Sequence, residues 1–173
     1  VKSSNVLVDE TGEPVLVDFG LARDATHAGA TLTASGEVFG TPAYMSPEQL
    51  DPKVRHVDRR ADVYALGASL FHMVSGRRLF AAETAQGLLV AHASELPPRA
   101  DEVLGAVPES LAWVIDSALL KRVEDRPTME EFLEDLEDFK AGKLKRARIK
   151  ELKRQVAAGR RPFEERSALK LLL

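Results

Sequence analysis

The chain has 173 residues, of which 45% are hydrophobic and 29% are charged, a composition typical of a globular domain with a buried core. It contains no cysteine, which excludes a disulfide framework and a thiolate metal site, and no apolar run approaches the length of a membrane span. The net charge of -3 is unevenly distributed, because residues 1–139 carry 12 basic and 24 acidic side chains whereas residues 140–173 carry 12 and 3. The chain therefore divides into an acidic body and a basic tail.

The first 18 residues predict a β-hairpin. Two short apolar runs are separated by Glu10-Thr11-Gly12-Glu13, a sequence typical of a turn. Antiparallel pairing about the two central turn residues places Asn5 opposite Asp18, so that an amide oxygen and a carboxylate converge at the open end of the hairpin. These hard oxygen ligands suit Mg²⁺. In the alternative interpretation, Asn5 only caps a turn and Asp18 only ends a strand.

A long polar loop follows the hairpin. From Leu21 to Phe39 it is rich in threonine and glycine and has no sustained apolar period. A loop of this kind can be ordered or released by a phosphate group. The residues after it, Ser46-Pro47-Glu48-Gln49-Leu50, predict a short helix with Ser46 as its cap and Pro47 at its first position.

Short motifs occur in a fixed order through this part of the chain. Val1-Lys2-Ser3-Ser4-Asn5 resembles the second half of the catalytic loop of protein kinases, Asp18-Phe19-Gly20 their metal-binding motif, and Ser46-Pro47-Glu48 their Ala-Pro-Glu motif. The order and spacing are similar to those in the C-terminal part of a bacterial Ser/Thr protein kinase domain of the eukaryotic type. The resemblance covers residues 1–139 and leaves the basic tail outside.

The resemblance implies an activity and assigns residues to it. The reaction would transfer the γ-phosphoryl group of Mg-ATP to a Ser or Thr hydroxyl of a protein substrate. Lys2 would stabilise charge on the transferred group, Asn5 and Asp18 would hold Mg²⁺, and Leu7 would belong to the nucleotide site. Thr41 would hydrogen-bond to the catalytic aspartate and to Lys2 and would shape the floor beneath the substrate.

The resemblance also implies phosphorylation sites and a structural anchor. Thr33, Ser35 and Thr31 are the candidates for activating phosphorylation, although each is equally well explained as a solvent-facing hydroxyl of the loop. Glu48 would be buried and would therefore need a cation. The resemblance supplies Arg126, and we expect a bidentate ion pair that ties the end of the loop to the helical base.

Residues 62–74 predict a helix that is apolar on nearly every side and therefore belongs in the centre of the domain. In the family that the chain resembles, this helix anchors the catalytic loop. Asp62, near its N-terminus, would accept hydrogen bonds from backbone amides of that loop, with a plain N-terminal cap as the alternative. His72 is interpreted as a histidine at the edge of the core, because the four histidines show no metal-ligand spacing.

Three more helices are expected in the body. One occupies residues 81–95, and an amphipathic helix begins at Pro108. Another begins at Thr128, which forms a capping box with Glu131. Together with the hairpin, these elements predict an α+β, mainly α fold that resembles the larger lobe of a protein kinase, with a buried central helix and surrounding helices.

The tail, residues 140–173, predicts a basic helix with apolar positions at Leu144, Ile149, Leu152 and Val156. A solvated charged helix is the default interpretation. A linker that docks on a protein partner or an anionic membrane surface is the sharper alternative. Because aromatic residues are not interleaved with the basic ones, we expect no nucleic-acid binding.

The sequence thus predicts a partial protein kinase domain at residues 1–139 and a basic tail or linker at 140–173. The expected cofactors are ATP and Mg²⁺, and the expected location is cytoplasmic, with a membrane anchor after the tail left open. In the resembling family the aspartate that accepts the substrate proton stands just before the position of Val1, so we expect at most trace activity from these residues alone. A pseudokinase or scaffold, and a truncated remnant with a docking tail, are the alternatives.

Overall fold

The computed structural model of the protein describes residues 2–17, 42–51, 54, 56–103 and 107–160. Within these ranges, two short strands and a set of helices confirm the predicted α+β, mainly helical fold. The strands are β1 (Val6–Val8) and β2 (Pro14–Leu16), and the helices are α1 (Arg60–Ser75), α2 (Ala85–Ser94), α3 (Ala100–Val103), α4 (Glu109–Ala118), α5 (Met129–Lys140) and α6 (Arg146–Gly159). Short 3₁₀ helices lie at Ser3–Asn5, Pro42–Tyr44, Pro47–Gln49 and Val123–Asp125.

The predicted hairpin is present, but its register differs by one residue from the expected one. Val6 pairs with Leu16, and the Val17 amide donates a hydrogen bond of 2.8 Å to the Asn5 carbonyl. The expectation that Asn5 lies opposite Asp18 is therefore wrong, because Asn5 lies opposite Val17. Asp18 itself lies outside the described residues.

The length of the turn explains this difference in register. Asp9 and Glu13 close the turn through a backbone hydrogen bond of 2.9 Å, which leaves three residues between them rather than two. The Asp9 carboxylate accepts hydrogen bonds from the backbone amides of Thr11, at 2.8 Å, and Glu13, at 2.9 Å. Gly12 has a φ of 89°, the left-handed conformation that a three-residue hairpin loop requires at its last position.

Helix α1 occupies the centre of the helical body, as its apolar sequence predicts. Val63, Tyr64 and Phe71 are fully buried on it. Residues on several sides of α1 pack against α3, α4, α5 and the 3₁₀ helix at Pro42–Tyr44. A helix surrounded in this way needs apolar side chains around most of its circumference, which explains the absence of a polar face.

The predicted boundaries of the smaller helices are close to the observed ones. Helix α2 is shorter than the expected range of 81–95, because the Thr84 hydroxyl accepts a hydrogen bond from the Gly87 amide and so caps the helix there. The expected capping box before α5 is present. The Thr128 amide donates to Glu131 Oε2 at 2.8 Å, and the Glu131 amide donates to Thr128 Oγ1 at 3.2 Å.

The basic helix α6 packs against the body instead of standing in solvent. Leu152 and Val156 are 0% and 1% exposed, and Leu152 belongs to an apolar cluster with Val114 and Phe132. The default interpretation of a solvated helix is therefore wrong for α6, because its apolar stripe is covered by α4 and α5. The division into two parts at residue 139 stays a prediction. In the described part of the chain, no helix is both long enough and apolar enough to span a membrane.

Candidate functional site

The short 3₁₀ helix at the start of the described chain carries two predicted site residues, Lys2 and Asn5. The Asn5 amide donates a hydrogen bond of 2.9 Å to the Lys2 carbonyl, which holds these residues one turn apart. The Asn5 carbonyl accepts the hydrogen bond from Val17 that begins the hairpin ladder. Asn5 is thereby fixed beside the strand residue that directly precedes Asp18 in the sequence.

The side chains at this end of the hairpin are accessible. Lys2 and Asn5 are half-buried, and Leu7 is 54% exposed. Among the described residues, the Asn5 side-chain amide has no hydrogen-bond partner, and its oxygen is a hard ligand of the kind that Mg²⁺ prefers. No group of three or more His, Asp or Glu residues in the described ranges could hold a metal ion. A metal site here therefore needs a further ligand, and Asp18 is the predicted one.

A hydrogen-bonded cluster of Ser3, Tyr44 and His72 lies beside Lys2 and Asn5. Tyr44 Oη is 2.9 Å from Ser3 Oγ and 2.9 Å from His72 Nδ1, and Ser3 Oγ is 3.4 Å from His72 Nδ1. The cluster joins the start of the chain to the end of the polar loop and to α1. The interpretation of His72 as only a core-edge residue is incomplete, since its ring faces two hydroxyl groups.

The sequence contains one signal for this cluster. Ser3 stands where the resembling family often has proline, which has no side-chain hydroxyl. Sequence separation hides the rest, because 41 positions separate Ser3 from Tyr44 and 28 separate Tyr44 from His72. The spacing of apolar residues along the chain cannot predict a contact between residues so far apart.

The expected contact between Glu48 and Arg126 is present. Arg126 donates from Nη1 to Glu48 Oε1 at 2.7 Å and from Nη2 to Glu48 Oε2 at 2.5 Å. The two side chains are only 0% and 7% exposed. The remaining guanidinium donors reach the carbonyls of Leu120, Arg60 and Lys121 at 2.7, 2.8 and 3.1 Å. This charge-assisted network joins the end of the loop, the start of α1 and the segment before α5.

The segment that carries Glu48 is shaped by its own sequence. The Ser46 amide and hydroxyl both donate to Gln49 Oε1, at 3.0 and 3.1 Å. Pro47 occupies the first position of the 3₁₀ helix, where its missing N–H costs no hydrogen bond. Both features support the predicted short helix, which places Glu48 where it reaches Arg126.

A second buried polar cluster lies next to Arg126. Tyr64 Oη is 3.0 Å from His92 Nδ1, and the Lys121 ammonium donates to the His92 carbonyl at 2.6 Å. The Arg126 guanidinium lies 5.2 Å from the centroid of the Tyr64 ring. Burial lowers the pKa of Lys121 to about 7 and that of His92 to about 3. The cluster therefore connects the anchor of the loop to α2.

Asp62 lies in the first turn of α1. Its side chain is exposed, and it has no hydrogen bond to the described residues 2–5. The contact between that segment and α1 is made at His72, ten residues further along the helix and so about 15 Å from Asp62 along its axis. The expected contact of Asp62 with catalytic-loop amides stays a prediction, because the family's catalytic loop begins before the position of Val1. An exposed carboxylate at this point is stabilised by solvent and by the helix dipole.

Five predicted residues lie outside the described ranges. Their proposed roles as metal ligand, substrate floor and phosphate acceptors stay predictions. These residues are Asp18, Thr31, Thr33, Ser35 and Thr41.

Comparison with known proteins supports the resemblance seen in the motifs. The family described as "protein kinase domain" matches residues 1–136. The DNA damage-responsive serine/threonine-protein kinase RqkA of Deinococcus radiodurans is 42% identical over 123 residues, which are 71% of this chain and 18% of that protein. The serine/threonine-protein kinase PkaA of Streptomyces coelicolor is 38% identical over 133 residues, 75% of this chain and 23% of that protein.

A third relative gives the same picture. The probable serine/threonine-protein kinase PknB of Bifidobacterium longum is 32% identical over 143 residues, 82% of this chain and 20% of that protein. The chain thus spans only 18–23% of the length of these three relatives. Since the family match covers residues 1–136 of the 173, the chain belongs to the protein kinase domain family.

Proposed function

We propose that this chain forms the larger lobe of a protein serine/threonine kinase, which transfers the γ-phosphoryl group of ATP to Ser or Thr hydroxyls of proteins. The observation that carries the proposal is the arrangement of the first turn. Lys2 and Asn5 are fixed one turn apart at the open end of the hairpin, directly beside the strand that leads to Asp18. The names of the bacterial relatives support the choice of Ser and Thr over Tyr.

The described residues fit a site for Mg-ATP. The Asn5 side-chain amide has no hydrogen-bond partner among them, and the exposed Leu7 offers apolar surface to a nucleotide. Asn5 and Asp18 would hold the metal through hard oxygen atoms, and Lys2 would bind phosphate oxygens as a compact point charge. When bound, Mg-ATP supplies the phosphoryl group and Mg²⁺ neutralises charge on the phosphates.

The end of the loop would present the protein substrate. Thr41 would lie beneath the substrate, and phosphate on Thr31, Thr33 or Ser35 would order the loop before it. The buried pair of Glu48 and Arg126 supports this role, because it fixes the segment that follows Thr41 to the helical body. The protein substrate itself is left open.

The 173 residues contain no glycine-rich phosphate loop, and in the family the aspartate that accepts the substrate proton stands just before the position of Val1. We therefore propose that residues 1–173 alone have at most trace activity, and the test uses the complete coding sequence. The DNA upstream of Val1 is read first, and the complete protein is incubated with labelled Mg-ATP. The expected result is label on Thr31, Thr33 or Ser35.

Matched variants make this test specific. Asp18→Asn should abolish labelling, whereas Glu10→Gln, the same change at an exposed turn position, should leave it intact. Nucleotide binding without transfer by the complete protein would overturn the proposal in favour of a pseudokinase or scaffold. Labelling that persists in Asp18→Asn would overturn the role of Asp18.

A further inference from the structure

Helix α6 lies outside residues 1–136, which match the kinase family. It nevertheless packs at a defined position on the helical body. Arg148 donates to both carboxylate oxygens of the buried Asp135, at 2.7 and 2.6 Å. Lys153 forms an ion pair with Glu109 at 2.7 Å. Combined with the burial of Leu152, these contacts fix both the rotation and the position of α6 against α4 and α5.

The C-terminal end of α6 contacts the segment that holds Arg126. Gln155 Nε2 donates to the Asp125 carbonyl at 2.8 Å, directly before Arg126. A Cβ atom on Gly159 would lie 2.8 Å from Leu120 Cδ2, so a larger residue at 159 would have to displace the end of the Leu120 side chain. The carbonyl of Leu120 is itself an acceptor for Arg126. Helix α6 therefore contacts the segment that precedes Arg126 at two points, Leu120 and Asp125.

The orientation of Arg126 depends on this segment. Three of its hydrogen bonds go to backbone carbonyls, two of them at Leu120 and Lys121, and two go to Glu48. A shift of the Leu120–Asp125 backbone would therefore misalign the guanidinium with the carboxylate. Bidentate pairs are sensitive to such shifts, because both N–H groups must point at both oxygens. Functional geometry commonly tolerates displacements of only about 0.5 Å.

We propose that Gln155 and Gly159 are positioning residues, through which α6 holds Arg126 in line with Glu48 and so fixes the end of the substrate-binding loop. The effect on catalysis rests on the proposed kinase function. The positioning of Glu48 by α6 does not depend on that function, because it follows from the packing alone. Among the described elements, α6 packs mainly on α4 and not on the open end of the hairpin, where the nucleotide is proposed to bind.

The test compares two changes at Gln155 in the complete protein. Gln155→Glu keeps the size but removes the N–H donor, whereas Gln155→Lys keeps a donor. Ala157→Glu adds the same negative charge at an exposed position of α6 and serves as the matched control. The first measurement is hydrogen exchange at the amides of Gln49 and Leu50, which are hydrogen-bonded within the segment of Glu48.

We expect Gln155→Glu to accelerate exchange at these two amides by about tenfold, the effect of one lost hydrogen bond. Gln155→Lys and Ala157→Glu should leave exchange unchanged. In the kinase assay, Gln155→Glu should lower kcat for a protein substrate or raise its KM, with the KM for ATP unchanged. If Gln155 only stabilised the fold, the change would affect the kinetic constants for ATP and for the protein substrate alike.

The outcomes distinguish the inference from the proposed function. Unchanged exchange at Gln49 and Leu50 in Gln155→Glu overturns the positioning role. Accelerated exchange in a complete protein that transfers no phosphate supports the positioning role and overturns the kinase function alone. Gly159→Val is the second variant, and it should reproduce the effect because the valine must displace the side chain of Leu120, whose carbonyl accepts from Arg126. Wild-type exchange in Gly159→Val would contradict the role of Gly159.

Discussion

At the scale of single residues, Arg126 holds three parts of the chain together. Its guanidinium binds the Glu48 carboxylate, the Arg60 carbonyl at the start of α1 and the carbonyls of Leu120 and Lys121. The side chain is fully buried, so every one of its donors needs a partner inside the protein. Removing one member of the pair leaves the other as a buried group without compensation.

This predicts a large loss of stability when the pair is broken. Arg126→Met should lower the free energy of unfolding by about 3 to 5 kcal/mol, since it leaves the Glu48 carboxylate buried and unpaired. The control is Arg122→Met, because Arg122 and Glu124 form an ion pair with both side chains 60% exposed and should contribute under about 1 kcal/mol. Urea denaturation measures both. Equal losses in the two variants would contradict the structural role of Arg126.

The cluster of Ser3, Tyr44 and His72 predicts energetic coupling between distant parts of the chain. Ser3→Ala and Tyr44→Phe each remove a hydroxyl from the same hydrogen-bonded group. The double variant should therefore lose less stability than the sum of the single variants, with an interaction energy of about 0.5 to 1 kcal/mol. A double-mutant cycle measures this energy. Strict additivity would show that the hydroxyls do not interact.

Lys121 predicts a pH dependence of stability. Its pKa falls from 10.5 to about 7 on burial, so the unfolded state binds more protons than the folded state between these values. The free energy of unfolding should therefore rise as pH increases from 7 to 9 and fall as pH returns to 7. Lys121→Met should remove on the order of 2 kcal/mol of this rise. Lys150→Met, at an exposed position of α6, should leave it unchanged.

At the scale of elements, the sequence predicted the features that depend on neighbouring residues, namely a helix cap and an apolar helix. The capping box of Thr128 and Glu131 and the all-round apolar helix α1 are both visible in local patterns, and both are present. The hairpin register was not predictable, because the same turn residues allow loops of two or three residues. The Asp9 carboxylate selects the longer loop through its hydrogen bonds to Thr11 and Glu13.

Contacts between distant segments were likewise predictable only where the sequence contained a signal for them. The pair of Glu48 and Arg126 could be expected because the family resemblance supplied the arginine, whereas no motif linked Tyr44 to His72. For α6, the sequence revealed an apolar stripe but not the surface that covers it. A short amphipathic stripe in a basic helix is compatible with solvent, a membrane or a partner, and only the packing on α4 decides.

The packing of α6 on the body predicts a contribution of this helix to the free energy of unfolding. Leu152→Ala should lower the free energy of unfolding by about 2 to 5 kcal/mol, because it opens a cavity beside Val114 and Phe132. Lys150→Ala, two positions away on the exposed face, should change it by less than about 0.5 kcal/mol. Thermal or urea unfolding provides the comparison. A loss below that of Lys150→Ala would mean that α6 does not pack on the body.

At the scale of the whole molecule, the charge asymmetry of the sequence has a structural meaning. Residues 1–139 are acidic and residues 140–173 are basic. In the structure, basic side chains of α6 meet acidic ones of the body, at Arg148 with Asp135 and at Lys153 with Glu109. The basic helix is thus partly neutralised by the domain that precedes it. Among the described basic residues of the tail, Lys150 and Arg154 are exposed.

The proposed kinase function requires the open end of the hairpin to hold the metal for phosphoryl transfer. The most direct test is the rate of γ-phosphoryl transfer by the complete protein carrying Asn5→Ala, measured across Mg²⁺ concentrations beside Ser4→Ala, an exposed neighbour. Loss of a group that stabilises the transition state should lower the rate by about 100-fold or more. Ser4→Ala should retain the wild-type rate. An Asn5→Ala protein with the wild-type rate and Mg²⁺ dependence would contradict the account.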